Sequence, residues 1–321
     1  MNKLTKIFIL VGILASIFVL LTFRRNKPKE KINTSSLTEN KNQANEDSSF
    51  SENLRKRNYE SSSIEIENTL SNSEPYSSYI FSYISDDLKI YGRMNMPNSG
   101  GPFPVVILNH GYFNQSSFQS GDGTQTMADI LARNGYLTLA SDYRGFGKSE
   151  NDSQGSRGHN PNYSIDVLNL IASVKNLDKA DPNKIGIWGH SMGGEVSIRT
   201  AEVTDKVKAI VLWAPTSANP SENAAFYGRG RHGSLPSPSQ TREEISPNND
   251  LRYITAPVSL HQGLADTEVN PAWSKELNEA LQKENKQVEY FEYPGQDHNF
   301  SNLGWDIISK RTTEFFDRYL K

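Results

Sequence analysis

Apolar and polar positions divide this chain into three stretches. Ile7–Phe23 is apolar and free of charge. From Arg24 to about Pro75, Asn, Ser, Glu and Lys dominate. From Tyr76 onward two periodicities take turns. YIFSYIS (79–85) and LKIYGRMNMP (88–97) alternate around Asp86-Asp87 and predict a hairpin. PVVILNH (104–110) predicts a buried strand, and TMADILARNG (126–135) a helix ending at a C-cap glycine. YLTLASDY, KIGIWGH, KAIVLWAP, PVSLHQG and QVEYFEYPG follow as strands. Helical spacing separates them in NYSIDVLNLIASVKNL, EVSIRTAEV and PAWSKELNEALQ, and again from Leu303 to the end. Strands alternating with helices predict an α/β domain over 76–321, a mostly parallel doubly wound sheet with an antiparallel N-terminal edge hairpin. Residues 216–256, rich in Pro, Ser, Asn and Gly, read as a short lid insertion.

The first two stretches are different material. Seventeen helical residues from Ile7 to Phe23 would span roughly 26 Å, the short end of what crosses a bilayer. Lys3 and Lys6 precede the run and five basic residues follow it within Lys31. LLTFRR lacks a small-x-small cleavage site, so residues 1–25 read as an N-terminal membrane anchor rather than a cleaved signal. The basic cluster after the span argues for a cytoplasmic domain and the ordinary export route for the opposite side, and export is preferred. Residues 26–75 are too polar to offset their ordering entropy and read as a disordered tether, with at most a short helix at Ser63–Asn72.

Composition narrows the chemistry. A formal net charge of -3, with no basic stripe interleaved with aromatics, gives no footprint for nucleic acid. The chain has no cysteine, which excludes disulfides, zinc–thiolate sites and a cysteine nucleophile.

The informative stretch is IGIWGHSMGGEVSI (185–198). Gly189-His190-Ser191-Met192-Gly193 is a G-x-S-x-G pattern between a predicted strand and a predicted helix. Glycines at 189 and 193 permit a turn sharp enough to lift the Ser191 hydroxyl above the sheet. A serine hydroxyl needs a base to take its proton, and the base needs an acid to orient it. Asp266 stands just past PVSLHQG, and His298 stands in the loop after the last strand. The carboxyl ends of parallel strands, where all three fall, are where open sheets place their sites.

The segment from about Tyr79 to Lys321 resembles the α/β-hydrolase fold. Within that fold it is similar to the catalytic domain of prolyl-oligopeptidase-type (S9) serine peptidases and related esterases. The residues that carry this are NHGY (109–112), DYRGFGKS (142–149), GHSMGG (189–194), HQGLADTEVNP (261–271) and YPGQDHNF (293–300). The resemblance implies Ser191 as nucleophile, Asp266 as acid and His298 as base. It also implies an oxyanion hole from the backbone N–H groups of Met192 and Tyr112. No metal and no cofactor is implied. The anchor and tether stand where S9 peptidases carry a β-propeller.

The expected function is therefore a serine hydrolase that cleaves a small carboxylic ester or a short peptide or amide through an acyl-enzyme. An acyltransferase on the same fold and a non-catalytic tethered binding module are the alternatives. The expected partners are a small-molecule or short-peptide acyl substrate and the membrane. His110 and His190 read as structural, His261 as a core residue, and Asp297 as turned away from His298. Glu195, in the first turn of a buried helix, calls for a partner, Arg144 or Arg199.

Overall fold

A computed structural model describes residues 49–152, 160–227, 244–301 and 303–321. The predicted anchor, most of the predicted tether and the middle of the predicted lid lie outside the described residues. Among the described residues no helix is long and apolar enough to cross a membrane.

Nine strands form one sheet: β1 (Glu65–Ser73), β2 (Tyr76–Ser85), β3 (Leu88–Pro97), β4 (Phe103–Asn109), β5 (Leu137–Ser141), β6 (Ala180–His190), β7 (Val207–Trp213), β8 (Val258–Gly263) and β9 (Val288–Tyr293). Their order is β1-β2-β3-β5-β4-β6-β7-β8-β9. The pairs β1–β2, β2–β3 and β3–β5 are antiparallel. Every pair from β5 across to β9 is parallel. The β2–β3 hairpin turns on Asp86 and Asp87, both at positive φ, the conformation a two-residue hairpin loop demands.

Alternation along the strands sends successive side chains to two separate cores. Val105 and Ile107 join one core, roofed by α3 (Tyr163–Ser173), α4 (Met192–Val203) and α6 (Pro271–Lys283). Val106 and Leu108 join the other, roofed by α2 (Gln125–Arg133) and α7 (Trp305–Leu320). α4 is buried along nearly its whole length between sheet and neighbours, so its polar residues need internal partners.

The ordered domain begins earlier than the sequence pattern suggests. Most of the stretch expected as a short helix, Ser63–Asn72, lies in strand β1 (Glu65–Ser73), and the tether reading does not extend to Pro75. β1 is exposed at all nine positions and owes its conformation to backbone pairing with β2, interrupted at Ile66/Asn68 and Thr69/Ser71. Upstream, α1 (Phe50–Arg55) packs Phe50 and Leu54 into a small apolar cluster with Ile165 and Ile245. A capping box on Ser49 and Glu52 starts this helix.

Candidate active site

Strand β6 ends at His190 and α4 begins at Met192, so one residue makes the whole turn. That residue, Ser191, has φ 58° and ψ −124°, a region L-residues avoid at a cost of about 1–3 kcal/mol. The surroundings enforce it. Ser191 N–H donates to Trp213 O at 3.0 Å, and Ser191 O accepts from Gly194 and Thr216 N–H at 2.9 and 3.1 Å. The flanking glycines are required by close approach. A Cβ on Gly193 would lie 2.0 Å from Asn109 O, and one on Gly189 would lie 2.3 Å from Gly193 O.

The other two candidates come from loops beyond β8 and β9. Asp266 Oδ2 accepts from His298 Nδ1 at 2.8 Å and from Gln262 Nε2 at 3.2 Å. Asp266 Oδ1 accepts from the N–H groups of Glu268 and Val269 at 2.8 and 2.9 Å. Burial alone would push the Asp266 pKa up. The hydrogen bond and charge of His298, with the two backbone donors, outweigh burial and hold the carboxyl below its usual range. The two loops are tied together by Ala265 N–H to Gln296 O at 2.9 Å. Gly263 lets them close, since a Cβ there would meet Gln296 O at 2.5 Å.

Ser191 and His298 line one cavity of about 840 Å³ at the carboxyl ends of the parallel strands. Gly111 runs beside the serine, where a Cβ would lie 3.1 Å from Ser191 Cβ. Tyr112 follows it in the cavity wall, half exposed at 48%. Met192 is the first residue of α4, where a backbone N–H lacks an intrahelical acceptor. Trp188, Trp213 and Trp305 add aromatic walls, and Phe226 and Tyr227 of α5 (Pro220–Tyr227) close the lid side. The last two fall within the predicted lid, 216–256, whereas nothing in the sequence pattern had singled out the tryptophans. Their signal was position, since Trp188 and Trp213 sit at the carboxyl ends of β6 and β7.

The remaining histidines and acids have structural surroundings. The His110 ring nitrogens face the carbonyl oxygens of Gly111 and Asp142 at 2.7 and 3.2 Å, and burial pushes its pKa down to about 4. His261 lies between Ser259 and Tyr293 in the sheet, neutral because burial lowers its pKa to about 3. Asp297 Oδ1 accepts the N–H groups of Asn299 and Ser301, away from His298. Glu195 lies 3.8 Å from Arg199, while Arg144 pairs with Asp166 at 2.8 Å, so Arg199 is the partner of the two expected. Among the described residues no group of three or more His, Asp or Glu is placed to hold a metal ion.

Residues 104–314 match the family model described as alpha/beta hydrolase fold, about two thirds of the chain. The chain belongs to that family. It is 27% identical over 167 residues to the quorum-quenching protein AidA of Acinetobacter baumannii, a stretch covering 48% of this chain and 49% of that protein. It is 25% identical over 228 residues to a putative carboxymethylenebutenolidase of Synechocystis, covering 67% of this chain and 83% of that one. The acylaminoacyl peptidase of Pyrococcus horikoshii superposes with a TM-score of 0.64 at 22% identity, covering 78% of this chain and 42% of the peptidase. The matched part spans about half the length of the first curated relatives.

Proposed function

We propose that this protein is a serine hydrolase that cleaves a small carboxylic ester or a short peptide or amide through an acyl-enzyme. The observation that carries the reading is the Asp266–His298 pair opening into the same cavity as the strained Ser191. His298 Nδ1–H donates to Asp266, which leaves Nε2 as the base. His298 takes the Ser191 proton as Oγ attacks the substrate carbonyl, then returns it to the leaving group. Water, deprotonated by the same imidazole, releases the acyl group. Asp266 holds the tautomer and stabilises the imidazolium. The N–H groups of Met192 and Tyr112 stabilise the tetrahedral oxyanion, each typically worth ~2.7–4 kcal/mol of barrier. The aromatic walls suit an apolar acyl or leaving group.

The test is a comparison of p-nitrophenyl esters of rising chain length with aminoacyl p-nitroanilides, with Ser191→Ala as control. Turnover of esters alone, lost in the variant, makes the protein an esterase. Comparable turnover of the anilides makes it a peptidase. Turnover that survives in Ser191→Ala overturns the reading.

We also infer that the Ile7–Phe23 run tethers this domain to a membrane. Its support is the uncharged length and the basic flanks. Retention of the full chain in the membrane fraction after an alkaline wash is expected, and complete release contradicts it.

A further inference from the structure

His190 stands between the nucleophile and the base in a way the acyl-transfer scheme leaves unused. It is the last residue of β6, one position before Ser191, and pairs across the sheet with Trp213. Its Nε2 lies 2.9 Å from the backbone carbonyl oxygen of His298. A carbonyl can only accept, so His190 is the donor and its ring is the Nε2–H tautomer. The two imidazoles face each other, with centroids 4.6 Å apart and planes 35° from parallel. The His190 ring also stacks near Trp188, centroids 6.2 Å apart.

The topology explains why such a link matters. β6 carries the nucleophile, and the base follows β9, with β7 and β8 lying between them in the sheet. The acid and base loops are joined by a backbone hydrogen bond and by the carboxylate itself. Those bonds fix His298 relative to Asp266 but not relative to Ser191. His190 supplies that coordinate directly, because it belongs to the elbow and grips the main chain of the base.

We propose that His190 is a positioning residue that sets the distance between Ser191 and His298 by clamping the His298 carbonyl to the end of β6. The proposal rests on the nucleophile and base roles given above. The ring also fits its neighbour electrically. Burial, reinforced by the nearby His298, pushes the His190 pKa down to about 3, so His190 stays neutral beside an imidazolium. A fixed cation at position 190 would oppose proton uptake by His298.

Two variants of the full chain separate the clamp from simple packing. His190→Phe keeps an aromatic ring and removes the donor. His190→Gln keeps an amide donor and removes the ring. Steady-state kinetics with p-nitrophenyl acetate should show His190→Phe losing about 10- to 100-fold in kcat with KM changed less than about threefold, since small misplacements of reacting groups cost on this scale. His190→Gln should recover most of that loss, and fluorophosphonate labelling of His190→Phe should slow in parallel. Equal losses in both variants, a change confined to KM, or wild-type kcat in His190→Phe would overturn the clamp. Ser191→Ala, run alongside, reports on the nucleophile: activity surviving there overturns the underlying reading rather than the role of His190.

Discussion

Asp266 accepts the Nδ1 proton of His298 at 2.8 Å while its second oxygen is held by two backbone N–H groups, so the carboxylate cannot rotate away from the imidazole. Asp266→Asn should keep the fold but present the wrong hydrogen-bond sense to His298. The expected loss in kcat is on the order of 10³–10⁴-fold. Because the folded-state pKa lies below the usual 3.8, the ionised carboxylate adds stability above that value, and this is lost as pH falls through the lower folded value. Acid unfolding of Asp266→Asn should therefore be less steep below about pH 4. A variant with near-normal kcat would remove Asp266 from the site.

The positive φ of Ser191 stores strain in the turn between β6 and α4. Ser191→Gly should be more stable than Ser191→Ala by about 1 kcal/mol, because only glycine adopts φ 58° without cost. Both should be inactive. Urea titration of the two variants checks this, and equal midpoints would show the elbow to be unstrained.

Asp142 gives a pH signature outside the reaction. It is buried beneath the loop that carries Tyr112, hydrogen-bonded by Ser120, with Asp122 nearby. Burial, against the Ser120 hydrogen bond and with Asp122, pushes its pKa up to about 7. The folded state holds this proton more tightly than the unfolded chain does. The stability it contributes is complete below about pH 4 and is lost as pH rises toward 7, on the order of 4 kcal/mol across the window. Melting temperatures of Asp142→Asn should lack this decline. If both proteins decline equally, Asp142 is not its source.

The segment ahead of β1 should be needed for stability. Ser51 Oγ donates to the buried Glu202 carboxyl at 2.7 Å, and Phe50 covers Arg199 with its ring centroid 5.0 Å from the guanidinium carbon. Ser51→Ala leaves a buried acceptor oxygen without that donor, at a cost of about 1–3 kcal/mol. A chain starting at Asn58 should lose more, because Glu202 and Arg199 of α4 would then meet water. Thermal melts of the two against the full chain check this. Unchanged melting in the shortened chain would make α1 an ornament of the domain.

These last contacts mark where the sequence was hard to read. Ser191, Asp266 and His298 stand in short motifs at strand ends, and the alternation of strands with helices predicts a parallel sheet that gathers those ends at one edge. β1 has no such signal. Ile66 and Leu70 are exposed, and pairing with β2 across two irregularities holds the strand in place. Contacts between distant segments, such as Ser51 with Glu202 and His190 with the His298 carbonyl, leave no local periodicity at all. Arg144 and Arg199 were equal candidates for Glu195 until Asp166, buried on α3, was seen to take Arg144.

The central claim is that Ser191 is a nucleophile activated by His298 and Asp266. The most direct measurement is labelling of the full chain with a fluorophosphonate, followed by peptide mapping. The account predicts a single adduct on Ser191 that is absent in Ser191→Ala and strongly slowed in His298→Ala. No adduct, or an adduct on another residue that persists in Ser191→Ala, would contradict it.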